Sequence, residues 1–166
     1  MSSAVLQIKF LSDKAKKIYN NGELLAYQTD GSSGFDVRAI SIVTQNGEKH
    51  DLSQDFILQG GQRIQIPTGI SVAMEKTNEI QVRSRSGLAW KNGLFVLNSP
   101  GTVDSDYRGE LCVILMNNST EPFTIKLGDR IAQAVFCPVI RAEMIFVDEL
   151  NETNRGNGGF GSTGHS

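Results

Sequence analysis

The chain has 166 residues, 39% of them hydrophobic, with 16 Lys and Arg against 18 Asp and Glu for a net charge of −2. A single domain of this length buries roughly 70% of its unfolded surface, and no Pro/Ser-rich linker, charge block or repeat divides it. The mixed surface argues against a nucleic-acid polymer as partner, which a basic stripe would signal, but leaves room for one nucleotide held by a few placed cations.

The first residues, Met1-Ser2-Ser3-Ala4-Val5, lack the basic and long apolar regions of a signal peptide. No run approaches the ~20 apolar residues of a membrane span, so no membrane association is expected. Cys112 and Cys137 lie in apolar, strand-like runs and read as buried free thiols of a reducing compartment. His50 and His165 are too far away in sequence to complete a zinc pattern. The expected location is cytoplasmic, with a nuclear or viral-host cytoplasmic setting included.

In chain order, strand-length runs of β-forming residues occur at Val5–Leu11, Phe35–Ile42, Arg63–Ile66, Gly69–Met74, Ile80–Arg83, Leu94–Leu97, Glu110–Met116, Phe123–Ile125, Arg130–Phe136 and Ala142–Val147. Asn-Gly, Gly-Gly, Pro-Gly and Gly-Asp turns separate them, which predicts an all-β antiparallel sandwich, jelly roll or barrel. Gln45-Asn46-Gly47-Glu48 reads as a hairpin tip. Ser99-Pro100-Gly101 suits a type II turn with Gly101 at the left-handed corner. One short helix is expected over Ser84–Gly93, capped by serine at its start and stopped by Gly93.

Several segments carry candidate chemistry beside a plainer reading. The helix opening Ser84-Arg85-Ser86-Gly87 aims amides, guanidinium and hydroxyls at one point, as an anion site would; an ordinary capped helix with solvated arginines has the same sequence. In Gly34-Phe35-Asp36-Val37-Arg38 an acid enters an apolar strand and needs a partner, either a hydrated magnesium ion or Arg38 or Arg85. If Val103–Tyr107 is extended, Asp104 and Asp106 share a face, where one could activate a water; an acidic surface turn is the alternative. Gln133 interrupts the apolar face made by Ile131 and Val135, and its amide must be satisfied by the fold or by a ligand.

The last segment, Arg155-Gly156-Asn157-Gly158-Gly159-Phe160-Gly161-Ser162-Thr163-Gly164, has too little side chain to pack a core. It is either a flexible end or a mobile lid that orders over a phosphorylated aromatic ligand. Gly156, Gly158 and Gly161 match a dinucleotide-binding pattern by letter, but no helix can follow them, so that reading fails.

Taken in order, GFDVRA, RSGLAWKNG, NSPGTVDSDYRGE, GDRIAQAVF and RGNGGFGSTG, spread over residues 34–164, resemble the five motifs of the trimeric dUTP pyrophosphatase (dUTPase) family. The resemblance implies a jelly-roll-like β subunit in a homotrimer, with active sites at the subunit interfaces. Residues 1–150 would form the single β domain and 151–166 a flexible glycine-rich lid. The implied reaction is Mg²⁺-assisted, in-line attack of water on the α-phosphorus of dUTP, giving dUMP and pyrophosphate. It limits uracil in DNA and supplies dUMP for dTMP synthesis. By resemblance, Asp104 is the base. Asn98 and the backbone of a 98–107 hairpin, with Thr102 and Val103, read the uracil, and Tyr107 packs under the deoxyribose and excludes UTP. Arg85, Ser86, Gly87 and Gln133 hold phosphates, as do Arg155, Ser162 and Thr163. Phe160 stacks over the uracil, with Gly161 beside it. Magnesium is carried mainly by phosphates and water, Asp36 acting indirectly or bracing the phosphate-binding arginine. Ser33, where Ala is common, and Gly60-Gly61, where Pro-Gly is common, depart from the family pattern without touching this chemistry. The competing readings are a dCTP deaminase-like relative, for which Glu110 is the nearest catalytic candidate, and a nucleotide-switched protein-interaction module, for which Ser41–Gln62 is the first region to inspect.

Overall fold

The structure, a computed structural model, describes residues 4–159. Its strands are β1 (Gln7–Phe10), β2 (Gly34–Arg38), β3 (Ile42–Val43), β4 (Lys49–His50), β5 (Phe56–Leu58), β6 (Arg63–Pro67), β7 (Ile70–Ala73), β8 (Asn78–Arg83), β9 (Leu94–Val96), β10 (Gly101–Val103), β11 (Cys112–Asn117), β12 (Phe123–Ile125) and β13 (Arg130–Pro138). Helix α1 (Asp13–Ile18) leads into a 3-10 segment at Asn20–Leu25, and α2 (Ser86–Asn92) lies between β8 and β9.

Two larger antiparallel sheets, ordered β10-β8-β13-β2 and β4-β3-β6-β11-β9, share one core, and the pairs β1-β7 and β12-β5 complete a jelly-roll-like β subunit. The alternation of side chains explains the core. Along β11 every second residue is buried, Val113, Leu115 and Asn117, and the two aliphatic ones stand opposite Ile66 and Ile64 of β6, Leu115 also opposite Val96 of β9, in one cluster. Burying each such aliphatic side chain stabilises the fold by about 1.5–3 kcal/mol.

Phe123–Ile125 forms a strand with its expected ends, and the hairpin tip closes β3 onto β4 with Gly47 at φ +85°. The structure adds helix α1, which the sequence reading missed. Ser12 caps it by accepting from the Ala15 N–H at 3.0 Å, Asp13 lies in its first turn, and Lys16 and Lys17 lie in its last. Tyr19 then turns fully into the core, and its hydroxyl accepts from the Arg38 N–H at 2.9 Å.

Two expectations are corrected. Gly101 does not take a left-handed corner: it opens β10 opposite Val82, and the Ser99–Pro100 bond is cis. A β-carbon at 101 would lie 3.2 Å from Asn98 Nδ2 and 3.3 Å from Val82 Cβ, so close approach, not backbone sign, favours glycine there. Ala142–Val147 is not a strand; it runs without a paired edge and is exposed throughout.

Candidate active site

Strand register assembles residues that lie far apart in sequence. β13 runs between β2 and β8, so Gln133 stands opposite Asp36 on one side and Arg83 on the other. Directly opposed residues share a sheet face, which here is the face away from the core that holds Phe35, Val37, Val82 and Ala134. The chain leaves β8 at Arg83 and reaches α2 through Ser84 and Arg85, so the helix begins beside Asp36 and Gln133.

That junction is tied in three ways. Gln133 Nε2 donates to Ser84 O at 3.0 Å, so the fold satisfies half of the part-buried amide. The Val96 N–H donates to Ser84 Oγ at 2.9 Å. Arg85 donates from Nη1 to Arg130 O and from Nε to Asp36 Oδ1, both at 3.0 Å. Asp36, only 12% exposed, gives its other oxygen to Arg130 Nη1 at 3.0 Å. One carboxylate thus braces two guanidiniums, and the local balance stays positive. Both Asp36 oxygens are occupied by charge-assisted contacts, an arrangement that suits bracing rather than metal ligation. Arg38, the other expected partner, instead donates to Gly128 O at 2.8 Å.

Arg130 is the functional candidate that sequence reasoning missed. It lies at the start of a strand, where a charged residue looks like ordinary solvated punctuation. A register shift between Arg130 and Ala132, following the Gly128 turn at φ +82°, turns it toward Asp36.

The helix start also differs from expectation. Arg85, not a serine, is the N-cap residue, and no side chain caps the first turn. Its amides therefore remain available as donors. Gly87 costs helix stability of about 1 kcal/mol relative to Ala, yet a β-carbon there would meet nothing within 4 Å. Packing within the described residues gives no reason for that glycine.

The segment from Leu97 to Glu110 connects the two large sheets at their edges, because β9 ends one sheet and β10 the other. It is not a simple 98–107 hairpin: Gly101–Val103 pairs with Ile80–Val82, and a turn follows in which the Tyr107 N–H donates to Asp104 O at 3.1 Å. The extended reading of Val103–Tyr107 is corrected accordingly. Val103 points inward at 8% exposure, leaving its backbone for any ligand, while Asn98, Thr102 and Asp104 are exposed. Tyr107 is 46% exposed and donates its hydroxyl hydrogen to Glu110 O at 3.0 Å. Glu110 Oε1 accepts from the Gly69 N–H at 2.6 Å.

Arg155 is exposed, and its Nε donates to Gly158 O at 2.8 Å within its own segment. The expected positions Phe160, Gly161, Ser162 and Thr163 lie outside the described residues. Among the described residues, no group of three or more His, Cys, Asp and Glu could hold a metal ion, and no helix is long and apolar enough to cross a membrane. Cys112 and Cys137 are free thiols in half-buried positions, and burial raises the Cys112 pKa to about 11.

Comparison with known proteins addresses the same segments. The sequence model of the dUTPase family matches residues 20–164. A deoxyuridine 5'-triphosphate nucleotidohydrolase of Nautilia profundicola is 49% identical over 151 residues, covering 91% of this chain and 97% of its own. A G164S mutant of the Staphylococcus bacteriophage 80alpha dUTPase, solved with dUpNHpp, superposes with a TM-score of 0.73 at 22% identity, over 98% of this chain and 100% of that one. A dUTPase variant from phage phi11 of S. aureus, solved with a structural Mg(II) ion, gives 0.70 at 20% identity, over 89% of this chain and 99% of that one.

Proposed function

Because the chain belongs to the dUTPase family, we propose that it hydrolyses dUTP to dUMP and pyrophosphate at a site built from the five segments described above. The observation that carries this reading is the Asp36-braced pair Arg85 and Arg130 beside an uncapped helix start. Fixed positive charge and free amides at one place suit a polyphosphate. Such donors are effective because they need no reorganisation when negative charge develops.

In this scheme Arg85, Ser86 and Gly87 hold the phosphates, with Arg130 adding positive charge and Gln133 fixing the Ser84 carbonyl behind them. Asp104 takes a proton from water as its oxygen attacks the α-phosphorus, and pyrophosphate leaves. General-base help of this kind is worth about 10²–10⁴-fold. Magnesium, carried on the triphosphate with its own waters, would supply charge neutralisation. Asn98, Thr102 and the backbone at Val103 line the base, and Tyr107 packs against the sugar. Arg155, Phe160, Gly161, Ser162 and Thr163 close the site from the C-terminal segment, 151–166, as a lid on the β domain of 1–150.

A homotrimer with shared sites fits a second observation. Met144 is 82% exposed, Ile145 75%, Phe146 94% and Leu150 84%. A contiguous apolar stretch of this kind marks an association surface, and the occupant that fits the family reading is another copy of the chain. The engagement of Glu110 with the Gly69 amide favours hydrolysis over deamination, since it ties down the acid a deaminase would need. Incubation with dUTP and with dCTP, each with and without magnesium, tests the reading. Magnesium-dependent pyrophosphate release from dUTP is expected; ammonia from dCTP, or no release from dUTP, would sink it.

A further inference from the structure

We propose that Gly109 is a specificity-determining position that acts by seating the ring of Tyr107. This inference rests on the reading of Tyr107 as the wall against the sugar. Gly109 has no backbone reason to be glycine, since its φ is outside the left-handed range that L-residues avoid. Its reason is steric. A β-carbon at 109 would lie 2.5 Å from Tyr107 Cζ and 2.9 Å from Cε2, and would also collide with the hydroxyl oxygen. The tyrosine ring folds back across the bare backbone at 109, and its hydroxyl reaches Glu110 O at 3.0 Å.

If a β-carbon were present, the ring would have to give way, because everything around it is tied. The Tyr107 N–H is bonded to Asp104 O at 3.1 Å, and Arg108 Nη1 clamps the carbonyls of Ser105 at 2.7 Å and Tyr107 at 2.9 Å. On the other side, Glu110 is held through Gly69, and the Leu111 N–H donates to Ile70 O at 2.8 Å. The half-exposed ring is the one group free to swing, outward toward solvent. Such a swing costs the fold little but removes a wall from the sugar site. Gly109 is therefore a positioning residue whose effect is read in substrate choice rather than in stability.

The test measures kcat and KM for dUTP and UTP, together with Tm, in the full-length wild-type chain, Gly109→Ala, Tyr107→Ala and the double variant. Gly109→Ala should keep its Tm while the dUTP-over-UTP ratio of kcat/KM falls about 10- to 100-fold, the range a single pocket contact commands. In the Tyr107→Ala background the same substitution should leave the ratio unchanged, because no ring remains to displace. Three results overturn the proposal: a Gly109→Ala enzyme as selective as wild type, an equal loss of selectivity with and without the ring, or a fall in Tm with both substrates affected alike. A wild-type chain that releases no pyrophosphate from dUTP removes the underlying functional reading instead. A selective wild type with an equally selective Gly109→Ala removes this inference alone.

Discussion

Strand β11, Cys112–Asn117, and the segment Ala142–Val147 have similar local character, yet one is the middle of a sheet and the other has no partner. β11 lies between β6 and β9, and Val113 and Leu115 are at most 1% exposed. In Ala142–Val147 every residue is exposed, and no edge within the described protomer pairs with it. β-forming composition reports that a residue fits a pleated, half-buried surface; it does not say which chain supplies the facing edge. β11 is a region this chain stabilises alone, and Ala142–Val147 is one for which it supplies no facing edge among the described residues.

The sharpest way to break this comparison is to remove the second region. A chain ending at Pro138 should keep its β fold by circular dichroism, lose self-association in sedimentation, and lose nearly all dUTP turnover. Unfolding of the truncated protomer would show instead that the segment serves the core. Single substitutions refine the same contrast. Leu115→Ala should destabilise by about 2–5 kcal/mol, the usual range for a buried leucine, at every protein concentration. Phe146→Ala should leave the isolated protomer within about 0.5 kcal/mol but lower Tm at concentrations where the wild-type chain is associated, with the loss vanishing on dilution, as linkage to association requires. A concentration-independent loss at Phe146 would place it in the core after all.

The smallest effect comes from titration of the half-buried Cys112 and the buried Tyr19. Burial raises Cys112 from 9.0 to about 11 and Tyr19 from 10.0 to about 12. Both groups are neutral below those values, so their contribution to stability is complete below pH 9.0 and is lost as pH rises through about 11 for the thiol and about 12 for the phenol. The urea midpoint should therefore hold steady up to pH 9 and fall above it. A Cys112→Ser, Tyr19→Phe chain with the same alkaline decline would assign it to other groups.

These differences also mark how far the sequence could be read. Apolar alternation placed β6, β11 and β12 well, because a one-residue error would turn every buried Ile or Val toward water. Arg85 and Gln133 were legible as candidate chemistry without a location. Their neighbourhood depends on register, which sets Gln133 against Asp36 and Arg83, both far from it in sequence. Arg130 was illegible for that reason: its partner lies 94 residues away, and a register shift aims it there. Helix α1 carried readable signals at Ser12, Asp13, Lys16 and Lys17, but it is shorter than the apolar period needs to stand out. The turn after Val103 is hidden in the sequence because Val103, Ser105 and Tyr107 alternate with Asp104 and Asp106 as along a strand, while the backbone is already reversing.

If one site draws its parts from different copies of the chain, mixing two differently disabled chains should restore it. An Asp104→Asn chain and a chain lacking residues 154–166 should each be nearly inactive toward dUTP alone. Refolded together from urea, they should regain a measurable fraction of wild-type pyrophosphate release, because some sites then combine an intact Asp104 with another copy's intact C-terminal segment. Activity that stays at the level of the separate variants, in mixtures shown by sedimentation to contain both chains in one oligomer, would contradict it.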